Sequence, residues 1–156
     1  MREAEAEIDK ALELDPKSSQ AYVAKGMLNA IQFVREAEPR FEIGAEAAYR
    51  RAVELAPRDP EALSLLGDFI AQPKPAEAVS YLRRALEIDP LDRVANNALA
   101  GSLVATNRLD EAEQRYRANV ELFPEFVDSK EQLATLMVER GKLDEAATWY
   151  LSLIHI

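Results

Sequence analysis

The sequence predicts an all-α protein made of stacked helical hairpins. Two motifs support this prediction because both recur with nearly the same period. The segments ALELDP, AVELAP, ALEIDP and NVELFP end in prolines at positions 16, 57, 90 and 124, at intervals of 41, 33 and 34 residues. The segments KPAEAVSYL, RLDEAEQRY and KLDEAATWY begin at positions 74, 108 and 142, at intervals of 34 residues. Self-similarity at such a period is typical of a repeat architecture.

Within each unit, apolar residues recur every fourth position, as on one face of a helix. Leu99 and Leu103 form one such stripe, and Ala112, Tyr116 and Val120 form the next. Proline disfavours helix at the residue before it, so each closing proline ends the second helix of its unit. The predicted helices span residues 2–14, 19–37, 41–55, 60–71, 75–88, 92–105, 109–122, 126–139 and 143 onward.

The unit resembles the tetratricopeptide repeat, which has a leucine and a small residue in its first helix and alanines and a closing proline in its second. The residues that match this pattern in two successive units are Leu63, Leu66, Gly67, Ile70, Ala78, Leu82, Ala85 and Pro90, then Leu99, Ala100, Leu103, Ala112, Tyr116 and Pro124. The resemblance covers essentially the whole chain. It implies an all-α, tetratricopeptide-type superhelix of antiparallel hairpins, and we predict that the array is truncated at both ends.

The period divides residues 1–150 into a single array. Its predicted parts are an orphan second helix (1–18), repeat 1 with a 7-residue insertion (19–59), repeat 2 (60–92), repeat 3 (93–126) and a truncated repeat 4 (127–150). Seven residues make about two helical turns, so one extra turn in each helix of repeat 1 keeps their facing residues in register. We therefore predict a long hairpin that turns near Pro39.

The extra length of repeat 1 carries apolar side chains, namely Ile31, Phe33, Val34, Phe41 and Ile43. The favoured interpretation is that they pack against each other or a neighbouring repeat, and the alternative is that they dock a partner. Small residues are expected where paired helices cross, because a larger side chain would push the helices apart. These residues are Gly26, Gly67, Ala100 and Ala134, with Ala11, Ala52 and Ala85 at the other contact.

Asn119 stands where this pattern expects alanine. Its side chain either caps or hydrogen-bonds locally, which is the favoured interpretation, or contacts a ligand.

The last six residues, Leu151 to Ile156, depart from the repeat pattern and read LSLIHI. They resemble the translation of CTG TCT CTT ATA CAC ATC, the transposon mosaic end used in sequencing libraries. We interpret residues 151–156 as a non-native tail, and the alternative is a natural apolar end of the last helix.

The sequence contains few of the residue combinations that catalytic sites commonly use. Cysteine is absent, and the only histidine, His155, lies in the suspected tail. Carboxylate pairs such as Asp110 with Glu111 and Asp144 with Glu145 suit helix N-termini, where negative charge is favourable. We predict no enzyme activity, no metal and no cofactor.

The formal net charge of −9 disfavours nucleic-acid binding, because the phosphate backbone would be repelled. Neither a long apolar span nor a signal-peptide pattern is present in the sequence, so we predict a cytoplasmic protein that does not insert into membranes.

The family resemblance implies that the first helices line a concave groove for a protein or peptide partner. When the groove positions of the family are mapped onto this sequence, they correspond to Gln20, Val23, Met27, Ser64, Asp68, Asn97, Gly101, Glu131 and Thr135. None is Lys or Arg, whereas some members of the family clamp an acidic peptide end with Lys and Asn at these positions. We therefore predict a protein-interaction module that binds a neutral or basic peptide segment.

An alternative hypothesis makes the chain the C-terminal regulatory or sensory arm of a larger bacterial protein, such as a winged-helix transcription regulator or a nucleotide cyclase. It depends on analogy of fold alone.

Overall fold

The structure is a computed structural model that describes residues 2–154. His155 and Ile156, and with them the end of the predicted tail, lie outside the described residues. Across residues 2–154 the chain forms helices and no strands. The helices are α1 Arg2–Leu14, α2 Ser19–Glu36, α3 Pro39–Leu55, α4 Pro60–Phe69, α5 Pro75–Ile88, α6 Arg93–Ala105, α7 Leu109–Leu122, α8 Val127–Glu139 and α9 Leu143–Ile154. The predicted all-α class is confirmed, and the boundaries differ by at most two residues.

Short polar side chains and prolines start the helices. Ser18, Asp59 and Asp92 precede α2, α4 and α6, and each side chain accepts a hydrogen bond from a backbone N–H in the first turn. Pro39, Pro60 and Pro75 occupy first-turn positions of α3, α4 and α5, where the missing N–H costs nothing.

Consecutive helices pack as antiparallel hairpins, and α4 also contacts α2 and α6. The first helices α2, α4 and α6 therefore lie side by side along one face of the array. A single hydrophobic core runs through the stack from Val23 to Ala146. Its largest fully buried side chains include Leu63, Leu82 and Leu133. Within residues 2–154, no helix combines the length and apolar character that a bilayer span requires.

Most of the small residues occupy the crowded positions that the pattern predicts. A Cβ added at Gly26 would come within 2.5 Å of the Tyr49 ring, and one at Gly67 within 2.6 Å of Leu82. Ala52, Ala85, Ala100 and Ala134 are fully buried. For Ala11 the prediction is wrong: it is exposed, because the face of α1 that carries it has no described helix against it.

The first hairpin is long, as predicted, with 18 residues in α2 and 17 in α3. It turns at Ala37, which has a left-handed φ of 53° and donates its N–H to the Phe33 carbonyl. Phe33 and Phe41 are half-buried, whereas Ile31, Val34 and Ile43 are exposed. The expectation that this apolar surface packs internally is thus wrong for these three residues, because the hairpin tip extends past its neighbours.

The second helices are linked on the outside by arginine–glutamate pairs that follow the repeat period. Arg50 contacts Glu77 at 2.8 Å, Arg83 contacts Glu111 at 2.9 Å, and Arg117 contacts Glu145. At both ends of the series a further glutamate joins the pair: Glu46 in α3 and Glu113 in α7. At the matching position in α5 stands Val79, so the pair in the middle has no additional acid.

Candidate peptide-binding groove

The predicted groove residues lie on α2, α4, α6 and α8. Seven of them reach the surface: Gln20, Met27, Asp68, Glu131 and Thr135 are exposed, and Asn97 and Gly101 are half-buried. Val23 and Ser64 are only 5% and 2% exposed. These two side chains face the core, so they lie beneath the groove surface rather than on it.

Two of the predicted residues, Gly101 and Thr135, line the same pocket. It has a volume of about 240 Å³ and opens between the C-terminal halves of α6 and α8. Its lining also includes Tyr116 of α7, Val104 and Glu139. Its volume is below the roughly 300–1,000 Å³ of typical small-molecule pockets, so it suits one side chain rather than a whole ligand.

Gly101 keeps this pocket open. A Cβ added there would meet only the Tyr116 hydroxyl, at 3.8 Å, which is an ordinary van der Waals contact. The crowded position of α6 is instead filled by the neighbouring Ala100, which is fully buried. The absence of a side chain at position 101 therefore leaves free space and is not required for helix packing.

Asn97 contributes a buried acceptor to the groove. Its side-chain oxygen Oδ1 has almost no solvent access and no hydrogen-bond partner among the described residues. A buried polar atom without a partner is costly, and because this one has almost no solvent access it is not presented to a ligand.

The titratable groups of the groove are acidic or phenolic. Desolvation between the groove walls raises the pKa of the Asp68 carboxyl although its side chain reaches solvent, and the negative charge of Asp92 adds to the shift. Burial, followed by the charge of Glu139, raises the pKa of Tyr116 to about 12. Near neutral pH the Tyr116 hydroxyl therefore stays neutral.

Sequence analysis missed four polar residues of the pocket: Gln72, Tyr116, Gln132 and Glu139. Glu139 lies one helical turn after Thr135, so an i, i+4 extension of the predicted face could have found it. Tyr116 was predicted as part of an apolar stripe of α7, and it is only 3% exposed. Gln72 follows α4 in a turn, and no periodic pattern points to it.

Family models for the tetratricopeptide repeat match residues 69–118 in one case, and residues 44–93 and 97–156 in another. The peroxisomal targeting signal receptor of Kluyveromyces lactis is 37% identical over 95 residues, and that of Saccharomyces cerevisiae is 33% identical over 78 residues. These matches cover 60% and 50% of this chain but only 17% and 13% of the receptors. The chain thus spans about a sixth of the length of the curated relatives it matches.

Solved structures share the fold. YrrB, described as a tetratricopeptide repeat protein with an unusual peptide-binding site, superposes with a TM-score of 0.80 at 23% identity over 99% of this chain and 78% of its own. PilW, described as a widely conserved type IV pilus biogenesis factor, superposes with a TM-score of 0.83 at 23% identity over 99% of this chain and 70% of its own. Such arrays generally serve as interaction modules rather than enzymes. The chain belongs to the tetratricopeptide repeat family.

Proposed function

We propose that this chain is a protein-interaction module that binds an extended peptide segment, neutral or basic, along the face formed by α2, α4, α6 and α8. The observation that carries the proposal is the charge of this face. The predicted groove residues and the pocket lining together include the carboxylates of Asp68, Glu131 and Glu139, and no Lys or Arg.

An acidic peptide would bring its carboxylates next to these groups without a cation to offset them, which disfavours binding. A basic peptide would meet complementary charge, and a neutral peptide would not be repelled. The description of YrrB states a peptide-binding site for that protein, and the curated relatives are named as receptors for a targeting signal.

Three fluorescein-labelled 12-residue peptides that differ only in carrying lysine, glutamine or glutamate at alternate positions test the proposal. Fluorescence anisotropy is measured at low and high salt, because salt screens exposed charges. We expect the lysine peptide to bind more tightly than the glutamine peptide, and the glutamate peptide to bind least.

A charge-matched control separates the groove from the overall negative charge. The double variant Asp68→Asn with Glu131→Gln removes two charges from the groove, whereas Glu87→Gln with Glu121→Gln removes two exposed charges from α5 and α7. We expect only the groove variant to weaken binding of the lysine peptide. Equal weakening by both variants, or a preference for the glutamate peptide, would contradict the proposal.

A further inference from the structure

The pocket between α6 and α8 lies at the C-terminal ends of both helices. Val104 and Ala105 are the last two residues of α6, and Glu139 is the last residue of α8. The C-terminal end of a helix carries partial negative charge, which favours a cation close to it. Two helix ends thus bias this pocket towards a positively charged group.

The carboxylate in the pocket has no cation of its own. Glu139 is exposed, and it forms no ion pair within the part of the chain that the structure describes. The neighbouring glutamate Glu113 differs in this respect, because it contacts Arg117, Arg140 and Lys142 on the outer side of the array. The ion pairs of Glu113 therefore do not involve Glu139, and the Glu139 carboxylate is available to bind a cation of a ligand.

The shape of the pocket indicates what fits. Its lining lacks a side chain at Gly101 and is apolar at Val104, and the Tyr116 hydroxyl and the Glu139 carboxylate add polar groups to it. An aliphatic stem that ends in a cation matches this combination of apolar and polar groups, because long basic side chains bury their methylenes and keep the charged head at a polar site.

We propose that this pocket binds one lysine or arginine side chain of the peptide, with its stem over Gly101 and against Val104 and its cationic head beside the Glu139 carboxylate and the Tyr116 hydroxyl. The proposal rests on the proposed function, because it assumes a peptide in the groove. It goes further in assigning one position of that peptide to a basic residue, held by a defined pocket rather than by diffuse attraction.

Nα-acetyl-lysine amide and Nα-acetyl-arginine amide are the probes, and Nα-acetyl-norleucine amide is the uncharged control with a comparable stem. Each is titrated into the ¹⁵N-labelled protein, and amide chemical shifts are followed by NMR. We expect saturable shifts centred on Gly101, Thr135 and Glu139 with a cationic probe, and none there with norleucine. The lysine and arginine arms show which head group the pocket prefers.

Three variants test the assignment. Glu139→Gln is expected to weaken the cationic probe about three- to fivefold, in the range of a partly exposed ion pair. Gly101→Leu is expected to abolish the shifts by filling the pocket, and because its Cβ meets only the Tyr116 hydroxyl, at an ordinary contact distance, we expect an unchanged circular dichroism spectrum. Glu121→Gln removes an exposed charge of α7 outside the pocket and is expected to change nothing.

Equal shifts with norleucine, or identical titrations for Glu139→Gln and the unaltered protein, would overturn the pocket assignment while leaving peptide binding intact. The opposite result, in which the cationic probe titrates at Glu139 but none of the three labelled peptides binds, would overturn the proposed function and retain the cation pocket.

Discussion

The hairpin α4–α5 (residues 60–88) and the stretch α6–α8 (residues 93–139) follow the same repeat pattern but differ inside. In the α4–α5 hairpin, Gly67 packs so closely on Leu82 that a Cβ would come within 2.6 Å. Ala62 and Ala85 are fully buried, and no buried side-chain polar atom of residues 60–88 is left without a partner. This hairpin is held by close packing of apolar groups.

In the α6–α8 stretch, two positions that hold alanine in the preceding repeat hold polar residues instead. Asn119 and Ser129 lie 34 residues after Ala85 and Ala95, and both are at most 1% exposed. Their side-chain polar atoms have no hydrogen-bond partner among the described residues. The sequence-based expectation that Asn119 caps or hydrogen-bonds locally is therefore wrong. Gly101, in the same stretch, faces an open pocket.

Charged groups on the outside also stabilise this stretch, whose interior contains unpartnered polar atoms. Partial burial raises the pKa of the Glu113 carboxyl, but hydrogen bonds from Lys142 and Arg117 outweigh it and lower the pKa overall. Arg140, the residue directly after α8, also contacts Glu113 of α7, at 2.8 Å. The comparison teaches that one repeat pattern can be stabilised by packing in one region and more by ion pairs in another, where space is kept for a ligand.

The largest expected effect comes from Gly67→Ala. The added Cβ cannot coexist with Leu82 unless the α4–α5 helices move apart, so we expect the free energy of unfolding to fall by about 1–3 kcal/mol. Urea denaturation followed by circular dichroism measures it. In a double-mutant cycle, Leu82→Ala should remove most of the penalty, and an additive cycle would show that the clash is not the cause.

Asn119→Ala is expected to act in the opposite direction. It removes two buried polar groups that lack partners and installs the residue found at this position in repeats 1 and 2, so the free energy of unfolding should rise by about 1–2 kcal/mol. Ser80→Ala, at an exposed position of α5, is the control and should be neutral. Destabilisation by Asn119→Ala would show that its side chain has a partner in solution.

Acid should loosen the α6–α8 stretch through Glu113. A carboxyl whose pKa is lower in the folded state stabilises the fold fully above its unfolded value of 4.5, and this contribution is lost as the pH falls through the folded pKa. We expect Glu113→Gln to cost about 1 kcal/mol at pH 7 and progressively less below pH 4.5. Urea denaturation across pH 3–7 measures this, with the exposed Glu125→Gln as control; a penalty for Glu113→Gln that is independent of pH would contradict the role of the ion pairs.

The smallest expected effect is that of Gly101→Ala. A glycine inside a helix is less favourable than alanine by about 0.5–1 kcal/mol, and here the methyl group meets only the Tyr116 hydroxyl, at an ordinary contact distance of 3.8 Å. The free energy of unfolding should rise by that amount, opposite in sign to the effect of Gly67→Ala. If both substitutions destabilise, position 101 is as crowded as position 67, and the contrast between the two regions fails at this point.

Much of the fold could be predicted from the sequence because its signals are local. The closing prolines, the capping residues and the fourfold spacing of apolar side chains act within one or two helical turns, and the predicted boundaries of α5 and α7 match the structure residue for residue. The long first hairpin followed from counting residues between two prolines.

The groove was harder to predict because it depends on how far apart helices lie. Position in the repeat placed Val23 and Ser64 on the groove face, but both residues are buried in the structure. Position in the repeat did assign Gly67 to a helix crossing and Gly101 to the groove, but it could not show how closely Leu82 packs on Gly67 or that Gly101 lines a pocket.

The periodic sequence thus specified the helices, their pairing and their stacking, because hydrophobic spacing and backbone restrictions act over short distances along the chain. Only the tertiary structure decided that α6, α7 and α8 leave a pocket with Glu139 in its wall, and that Asn119 is buried without a partner. Both outcomes depend on distances between residues far apart in sequence, set by the packing of all the neighbouring side chains together.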